Sequence, residues 1–459
     1  MTPLETTALG NRCYVASDGA VAVVIDPPRD IDRVLAMCGR IGALPQWVLE
    51  THVHNDYVSG GLELARLTGA RYGIAAEERV SFPDDRVGLR EGQVIAAGRM
   101  RIRAVHTPGH TDQHLSFVLA DDREGPAQAV FTGGCWLPGT AGRTDLLGSD
   151  RALELARAQW RSIRRLAAEL PDSAEIRPTH GFGSFCAAGL VSGPDESSVG
   201  TARATHPALR LDQESFVREL LGGFIDHPRY YSRMAPINRS GPDPIDLRPA
   251  PAAVRGELAE RIAAGEWVVD LRPRGEFAAG HLRGSLNIEA GDSFATYLGW
   301  LLPAGMPVSL TAGDHRAVAA AQRAMALIGL ARPAAQAVGP LSLWAGDGEV
   351  GGYPVARFAD LESRRDAGAA PAVLDVRRSD EWAAGHLAGA VHLPLPDLAE
   401  RLGEVAALAE AGPVWVHCEL GFRASVAASA LDAHGIPVVL VNDSLAAAHL
   451  AGMPLVRGG

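Results

Sequence analysis

Residues 51–57 are Thr-His-Val-His-Asn-Asp-Tyr, and a predicted strand over 46–51 leads into them. A short, largely apolar run of this kind is typical of a buried β-strand. The strand would deliver His52 at its end, with His54 and Asp56 directly after it. Histidines two residues apart at a strand end are typical ligands of a divalent metal ion.

Two later histidines are predicted to lie beside this pair. His110 lies in Thr-Pro-Gly-His-Thr and His180 in Pro-Thr-His-Gly, each after a further predicted strand. Unrelated histidines that serve as caps are the alternative, but their placement at strand ends favours a metal site. We predict His52, His54 and His110 as ligands of one divalent ion, with Asp56 and His180 holding water or a weak second ion.

The elements around these motifs predict a layered α/β domain. Predicted strands and helices alternate, and polar residues gather just after the strand ends, which places the site on one edge of the domain. A proline-rich stretch over 236–251 predicts the linker that ends this domain. The predicted strands are 21–26, 46–51, 100–105, 115–120 and 128–132, and the predicted helices are 30–41 and 151–170.

Beyond the linker the sequence repeats itself. Asp-Leu-Arg at 270–272 returns as Asp-Val-Arg at 375–377, and Gly-His-Leu at 280–282 returns with the same offset at 385–387. A long fixed period over separate motifs indicates two copies of one domain. The predicted domains are therefore 1–240, 253–350 and 355–459.

The second copy carries a cysteine between a predicted strand, 414–417, and an alanine-rich predicted helix, 424–433. Backbone N–H groups converge at such a position, where they stabilise a thiolate and bind an anion. We predict Cys418 as a catalytic nucleophile, with Arg423 closing the loop and adding positive charge. The predicted anion-binding loop between them comprises Glu419, Leu420, Gly421 and Phe422.

The first copy has lost this nucleophile. Ala312 takes the place of Cys418 when the two copies are aligned, and no cysteine lies between Cys186 and Cys418. The first copy is therefore expected to form no persulfide and to serve as a spacer or a docking surface. Cys13, Cys38 and Cys186 are predicted to be buried and to act as small hydrophobes.

The repeated segment resembles the rhodanese family, sulfurtransferases that carry a sulfane sulfur as a cysteine persulfide. The resemblance rests on the Cys-x-x-Gly-x-Arg loop at 418–423, together with the Asp-Val-Arg and Gly-His-Leu motifs. It implies α/β domains in which helices flank a parallel sheet. The loop is one residue shorter than in tyrosine phosphatases, which implies a pocket sized for sulfur rather than phosphate.

The N-terminal domain resembles the metallo-β-lactamase superfamily, whose hallmark is His-x-His-x-Asp-His, and within it the persulfide dioxygenases and their glyoxalase II relatives. The supporting motifs are Phe-Thr-Gly at 131–133 and Gly-Arg-Thr-Asp at 142–145. The resemblance implies an αββα sandwich and one iron held by His52, His110 and an aspartate. It also implies that Arg143 lies beside a substrate such as glutathione persulfide.

This sequence departs from that pattern at two ligand positions. Tyr57 stands where the motif has its last histidine, and Gly134 stands where the family has its anionic ligand. The expected cofactor is therefore one divalent metal, iron or zinc, rather than a two-metal centre. Restoring aspartate at position 134 is expected to raise metal affinity, because a carboxylate supplies an anionic ligand and glycine supplies none.

Composition narrows the class of protein. The chain has 459 residues and a formal net charge of −11 without a clustered basic face, which argues against nucleic-acid binding. It contains no lysine, so Schiff-base and P-loop lysine chemistry are excluded. An odd number of scattered cysteines, without a secretion signal or an apolar membrane span, predicts a cytoplasmic protein with no membrane partner.

Three functions remain open at this point. The first is a persulfide dioxygenase coupled to a sulfurtransferase, which the resemblance and the domain fusion favour. The second is a metallohydrolase of glutathione-type thioesters, and the third is a metal-poor scaffold that presents Cys418 as a sulfur carrier. The expected partner is a low-molecular-weight thiol or persulfide, and the oligomeric state stays open, a homodimer included.

Overall fold

The computed structural model describes residues 1–121, 125–189, 197–346, 350–368 and 371–457. The final two positions of the predicted third domain lie outside these ranges. The chain divides into two compact units, Met1–Asp246 with Ala324–Leu330, and Leu247–Arg323 with Ala331–Gly459.

Two mixed sheets form the centre of the first unit, each with six strands among the described residues. The strands of the first sheet, in their order across it, are β1 Thr2–Thr6, β2 Asn11–Ser17, β3 Val21–Ile25, β4 Leu44–Leu49, β5 Arg71–Ala75 and β6 Arg86–Leu89. The strands of the second sheet, also in spatial order, are β7 Val94–Ala97, β8 Met100–His106, β9 Leu115–Ala120, β10 Ala129–Gly133, β11 Glu175–Pro178 and β12 Ser197–Ser198.

Helices cover the outer faces of these sheets. Along β3, Val23 and Ile25 pack in one cluster with Phe117 and Phe131 of the second sheet, whereas Val24 packs with the helices outside the first sheet. Both faces of β3 are therefore buried, which explains its continuous apolar run. The layers confirm the αββα sandwich. The helices are α1 Ile31–Ile41, α2 Gly61–Thr68, α3 Ala152–Glu169, α4 Val199–Thr205, α5 Pro207–Arg210, α6 Gln213–Gly222 and α7 Tyr231–Ser240.

The two repeats each form a smaller parallel sheet flanked by helices, as expected. The first repeat contains β13 Trp267–Asp270, β14 His281–Leu282, β15 Leu286–Asn287, β16 Val308–Ala312, β17 Gln336–Val338 and β18 Val350–Gly351, with α8 Glu257–Ala263, α9 Arg274–Ala279, α10 Phe294–Leu301 and α11 His315–Leu327. The second contains β19 Val355–Ala356, β20 Val373–Asp375, β21 His386–Leu387, β22 Val391–His392, β23 Val414–His417, β24 Val438–Val441 and β25 Leu455–Val456, with α12 Phe358–Asp366, α13 Ser379–Ala384, α14 Leu402–Leu408, α15 Phe422–Ala433 and α16 Leu445–Leu450. The sheet orders are β15-β13-β16-β17 and β19-β24-β23-β20-β22.

The two repeats share one pairing register. Asp270 pairs with Thr311 in the first repeat, and Asp375 pairs with His417 in the second. The residue after Thr311 is Ala312, so the alignment that puts alanine at the Cys418 position is confirmed.

One boundary of the predicted linker is wrong. Pro236 lies inside α7 rather than in irregular chain. The Asn238 side chain of this helix is buried and donates to the carbonyl oxygens of His54 and Tyr57, each at 2.9 Å. These tertiary contacts offset part of the cost of an interior proline, which is about 3 kcal/mol. Among the described helices, none is both long and apolar enough to cross a bilayer.

Candidate functional site

The five predicted metal-site residues come together in one buried cluster. His52, His54 and Asp56 lie in the turn after β4, His110 in the loop between β8 and β9, and His180 after β11. Each is at most 1% exposed. The ligand atoms of His52, His110 and His180 lie within 4.8 Å of one another, and so do those of His54, Asp56 and His180. Both sheets therefore contribute donors to the same place.

Hydrogen bonds fix the ring of His52. Its Nδ1 lies 2.9 Å from the Thr51 hydroxyl oxygen, and that hydroxyl donates to Asp26 Oδ2 at 2.7 Å. Because the hydroxyl proton is used by the carboxylate, the oxygen accepts from His52 Nδ1–H. Burial lowers the pKa of His52 well below its usual range. The ring is therefore neutral, with a lone pair on Nε2, as in protein-held metal ligands.

His110 and His180 are held in the same way. His110 Nδ1 donates to the Arg143 carbonyl at 2.8 Å, and burial lowers the pKa of His110 to about 3. His180 Nδ1 donates to Asn11 Oδ1 at 2.9 Å and lies 3.1 Å from Asp56 Oδ2. The Nε2 atom of His110 is therefore left as an acceptor.

The nitrogen and oxygen atoms that could bind a metal ion face one another. His52 Nε2 and His180 Nε2 are 3.3 Å apart. Within the described part of the chain, His110 Nε2, His54 Nδ1 and Asp56 Oδ1 are buried without a hydrogen-bond partner. Buried polar atoms are seldom unpaired. Lone pairs that converge in a buried space fit a cation, so this donor set fits a divalent metal ion.

His54 differs from the other three histidines because it lies between two carboxylates. Its Nε2 is 3.1 Å from Glu50 Oε2 and 3.4 Å from Asp26 Oδ1. Burial lowers the pKa of His54, but Asp26 and Glu50 outweigh burial and raise this pKa to about 10. An ion bound at His54 Nδ1 would therefore have to displace a proton.

Arg143 lies next to the cluster, but its side chain is buried and fully engaged. The guanidinium forms a two-bond ion pair with Asp145, at 2.7 and 2.8 Å. It also donates to the carbonyl oxygens of Phe185 and Ile225 at 3.3 and 2.9 Å. The guanidinium of Arg143 thus holds neighbouring chain segments together, and the backbone carbonyl of Arg143 accepts the hydrogen bond from His110 Nδ1.

The cysteine loop lies at the turn between β23 and α15. The Cys418 side chain is buried, and its Sγ accepts the Gly421 N–H at 3.2 Å. Gly421 has a φ of +87°, a conformation that favours glycine. The turn therefore aims one backbone donor at the sulfur atom.

The charges around this loop are paired. Arg423 Nη2 donates to Glu381 Oε1 at 2.7 Å, and Glu419 lies 3.5 Å from Arg377. The positive charge of Arg423 is therefore neutralised by its ion pair with Glu381. The other sulfur next to a predicted site, Cys135, is fully buried, and burial raises its pKa to about 12, so it remains a thiol.

Two protein families match this chain. Residues 6–124 match the Metallo-beta-lactamase superfamily, and residues 254–333 and 358–449 match the Rhodanese-like domain. The chain joins a metallo-β-lactamase domain to two rhodanese-like domains.

Similar proteins of known description include two hydrolases. The probable polyketide biosynthesis zinc-dependent hydrolase BaeB of Bacillus velezensis is 28% identical over 179 residues, which cover 38% of this chain and 74% of that protein. A hydroxyacylglutathione hydrolase of Acidiphilium cryptum is 31% identical over 128 residues, which cover 27% of this chain and 51% of that protein. The chain thus spans about half the length of the second relative.

A solved structure, a metallo-beta-lactamase from Staphylococcus aureus subsp. aureus COL, extends the likeness. Its TM-score is 0.66 at 24% identity, with 74% of this chain and 98% of that chain covered. At this identity the likeness establishes the fold.

Tyr57 packs against the candidate metal site of the metallo-β-lactamase domain, at the position where the family motif has a histidine ligand. Its ring stacks on His54 with centroids 4.3 Å apart, and its hydroxyl donates to the Asp26 carbonyl at 3.2 Å. Burial raises the pKa of Tyr57 well above its usual range, so the phenol stays protonated.

The packing at Gly134 contradicts the expectation that aspartate there would raise metal affinity. A Cβ atom at position 134 would lie 2.2 Å from Cδ2 of the buried His110 ring. We expect Gly134→Asp to weaken metal binding by about ten-fold or more, because His110 must move to relieve this overlap. The dissociation constant, measured by competition with a chelator, checks this result. Gly134→Ala is the control that adds the Cβ alone; tighter binding by Gly134→Asp would contradict the steric argument.

Sequence reasoning missed the residues that support the ligands. Asp26 accepts from the Thr51 N–H at 2.7 Å and from the hydroxyls of Thr51 and Thr179. His114 Nε2 accepts the Gly134 N–H at 3.2 Å, and its ring stacks on His52. The signal for Asp26 was its place at the end of a predicted strand, like the histidines. Contacts between distant segments, such as Thr179 with Asp26, leave no local sequence signal.

Proposed function

We propose that this protein transfers and consumes persulfide sulfur. The last rhodanese-like domain would carry a sulfane sulfur on Cys418, and the metallo-β-lactamase domain would consume a low-molecular-weight persulfide such as glutathione persulfide. The observation that carries the proposal is the Gly421 N–H, 3.2 Å from the buried Cys418 Sγ at the start of α15. That donor and the helix N-terminus stabilise a sulfur anion.

The transfer has two balanced steps. The Cys418 thiolate attacks the sulfane sulfur of a donor, the donor's bond to that sulfur breaks, and an S–S bond forms on Cys418. An acceptor thiolate then attacks the outer sulfur, and Cys418 leaves as a thiolate. No net oxidation takes place. The Gly421 N–H stabilises the negative charge of the Cys418 thiolate at the start and at the end of the cycle.

The metal centre would be held by histidines of the metallo-β-lactamase domain. One candidate set is His52, His110 and His180, and His54 and Asp56 share a second set with His180. The sequence prediction of His54 beside His52 and His110 is the alternative. A bound ion supplies Lewis acidity and, where it is iron, redox chemistry.

This chain's own contribution is to orient those rings. The Thr51 hydroxyl and the Arg143 carbonyl hold the Nδ1 protons of His52 and His110, so both Nε2 atoms stay acceptors. We propose that Arg143 shapes the substrate pocket through the carbonyls of Phe185 and Ile225, to which it donates.

For this domain we propose persulfide oxidation, in which one persulfide, one O₂ and one water give a thiol and sulfite. The fusion to a sulfur-carrying domain supports this assignment. Hydrolysis of a glutathione-type thioester is the second candidate. It is supported by an all-histidine donor set without an aspartate at position 134, which suits zinc, and by the similarity to a hydroxyacylglutathione hydrolase.

Metal analysis and turnover of anaerobically purified protein test the proposal. We expect iron in the protein, and O₂ uptake with sulfite release when glutathione persulfide is added. Zinc together with thioester hydrolysis would favour the second candidate. Absence of both metals and of both activities, with Cys418 still accepting sulfur, would overturn the enzymatic role of the metallo-β-lactamase domain.

The remaining organisation is part of the same proposal. We propose the domain bounds 1–240, 253–350 and 355–459, a low-molecular-weight thiol or persulfide as partner, and a cytoplasmic location. The location is supported by the five cysteines, all unpaired and buried.

A further inference from the structure

The first rhodanese-like domain has no cysteine, yet it lies along the helix that follows the cysteine loop. Ser425 of α15 donates to Asn287 Oδ1 at 2.5 Å, and the Asn287 N–H donates to Ser429 Oγ at 2.9 Å. Near the end of α15, His281 Nε2 lies 3.0 Å from Asp432 Oδ2. Contacts from the cysteine-less repeat therefore follow α15 over its length.

One residue of this repeat reaches the loop itself. Arg274, the first residue of α9, donates from Nη1 to the Leu420 carbonyl at 2.9 Å. Glu289 holds the other side of the guanidinium, with Oε1 3.0 Å from Nε and Oε2 3.0 Å from Nη2. A Cβ atom on Gly421 would lie 2.8 Å from Arg274 Nη1, so the arginine and the loop are closely packed.

The peptide between Leu420 and Gly421 links this arginine to the sulfur. In a planar trans peptide the C=O and the N–H point in opposite directions. Arg274 takes the carbonyl oxygen, and Cys418 Sγ takes the N–H at 3.2 Å. An arginine that holds the oxygen on one side therefore keeps the N–H aimed at the sulfur on the other.

We propose that Arg274 is a positioning residue for sulfur transfer: it orients the Gly421 N–H toward the Cys418 sulfur from the cysteine-less repeat. The inference rests on the proposed transfer at Cys418. It gives the first repeat a role beyond the expected spacer or docking surface, because the reactive loop of one repeat is completed by the other.

Each arginine around the loop is paired with a carboxylate, so Arg274 adds little net positive charge there. Its main effect is to orient the peptide between Leu420 and Gly421. Arg423 is paired with Glu381, Arg377 lies against Glu419, and Arg274 is itself balanced by Glu289. On the remaining side, the Tyr297 ring lies 5.2 Å from the Phe422 ring. Each arginine near the loop thus has a carboxylate partner, and what Arg274 adds is a fixed direction for one peptide.

The test compares Arg274→Ala, Arg274→Lys and Arg261→Ala in the full chain. Arg261 is the matched control, since it is also paired with glutamates, Glu257 and Glu266, in its own repeat. Two rates are measured at neutral pH: alkylation of Cys418 by iodoacetamide, and sulfur loading of Cys418 from thiosulfate by mass spectrometry. Thermal melting checks folding, which the contacts of His281 and Asn287 should preserve.

We expect Arg274→Ala to slow both rates by about ten-fold, the effect of losing one well-aimed hydrogen bond to a thiolate. Arg274→Lys should recover most of each rate, because an ammonium can still donate to the Leu420 carbonyl. Wild-type rates in Arg274→Ala, or losses in Arg261→Ala of the same size, would overturn the inference. Alkylation needs no sulfur donor, so it tests Arg274 even if the wild type accepts no sulfur, a result that would count against the proposed function.

Discussion

Replacing Cys418 by serine is expected to abolish sulfur transfer while the protein stays folded. Attack on a sulfane sulfur requires a thiolate, and only in the last repeat does a cysteine begin a strand-to-helix loop with an N–H at the sulfur, 3.2 Å away. Loss of a nucleophile lowers turnover by more than about a thousand-fold. Serine is nearly isosteric, so the free energy of unfolding should change by about 1 kcal/mol.

Mass spectrometry after incubation with thiosulfate or glutathione persulfide measures this result. One added sulfur atom should map to the peptide with Cys418 in the wild type and vanish in Cys418→Ser. Cys135→Ser is the control, since burial raises the pKa of Cys135 to about 12 and keeps it a thiol. Transfer that survives in Cys418→Ser, or sulfur located on Cys135, would move the chemistry to the metallo-β-lactamase domain.

Replacing His110 by alanine is expected to reduce metal occupancy to less than about a tenth of the wild-type value. The ligand atoms of His110, His52 and His180 lie within 4.8 Å of one another, and the buried Nε2 of His110 has no hydrogen-bond partner among the described residues. Removing a direct ligand costs more than the 10–100-fold typical of a supporting residue. Elemental analysis of protein purified under identical conditions gives the occupancy.

His106→Ala is the matched control for that variant. His106 is the last residue of β8, just before the His110 loop, but its Nε2 lies 2.9 Å from the Asp112 carbonyl rather than in the cluster. Unchanged metal occupancy in His110→Ala would contradict the assignment of His110 as a metal ligand. The variants His54→Ala and His180→Ala then show which histidine completes the set, since His54, whose pKa is raised to about 10, must release a proton to bind an ion.

Periodicity and motif spacing predicted a layered α/β domain and an internal repeat, whereas the αββα sandwich and the flanked parallel sheets were implied by the family resemblances. The strand at Val21–Ile25 was visible as an apolar run because both its faces are buried, and the repeat was visible because Asp270 and Asp375 hold equivalent places in two sheets. Near the end of the first predicted domain, the signal in the sequence was misleading. Pro236 signals a break locally, whereas α7 continues through it with Ala235 and Asn238 buried and with Asn238 hydrogen-bonded to His54 and Tyr57.

For the site, the sequence predicted which residues lie close together, but not the hydrogen-bond partners and charges around each side chain. His54 and His52 are indistinguishable as sequence, yet one lies between carboxylates of Glu50 and Asp26 and the other against a hydroxyl. Position 134 shows the same limit, because the overlap with His110 arises between segments from different loops. Arg274 carried no signal, since its partner lies in the other repeat.

The Asp26 carboxylate has a consequence for how the protein acquires its ion. It receives hydrogen bonds from Thr51 at the end of β4 and from Thr179 after β11, so one side chain joins the two sheets where the ligands emerge. Within the described part of the chain, the rings of His52, His110 and His180 are thus held by hydrogen bonds to protein oxygen atoms. We expect the chain to fold without an ion and to bind one afterwards, so that the ions available at that moment decide whether iron or zinc is bound. We therefore expect the metal content of overproduced protein to follow the growth medium, and we expect iron-supplemented, zinc-depleted medium to raise the iron content.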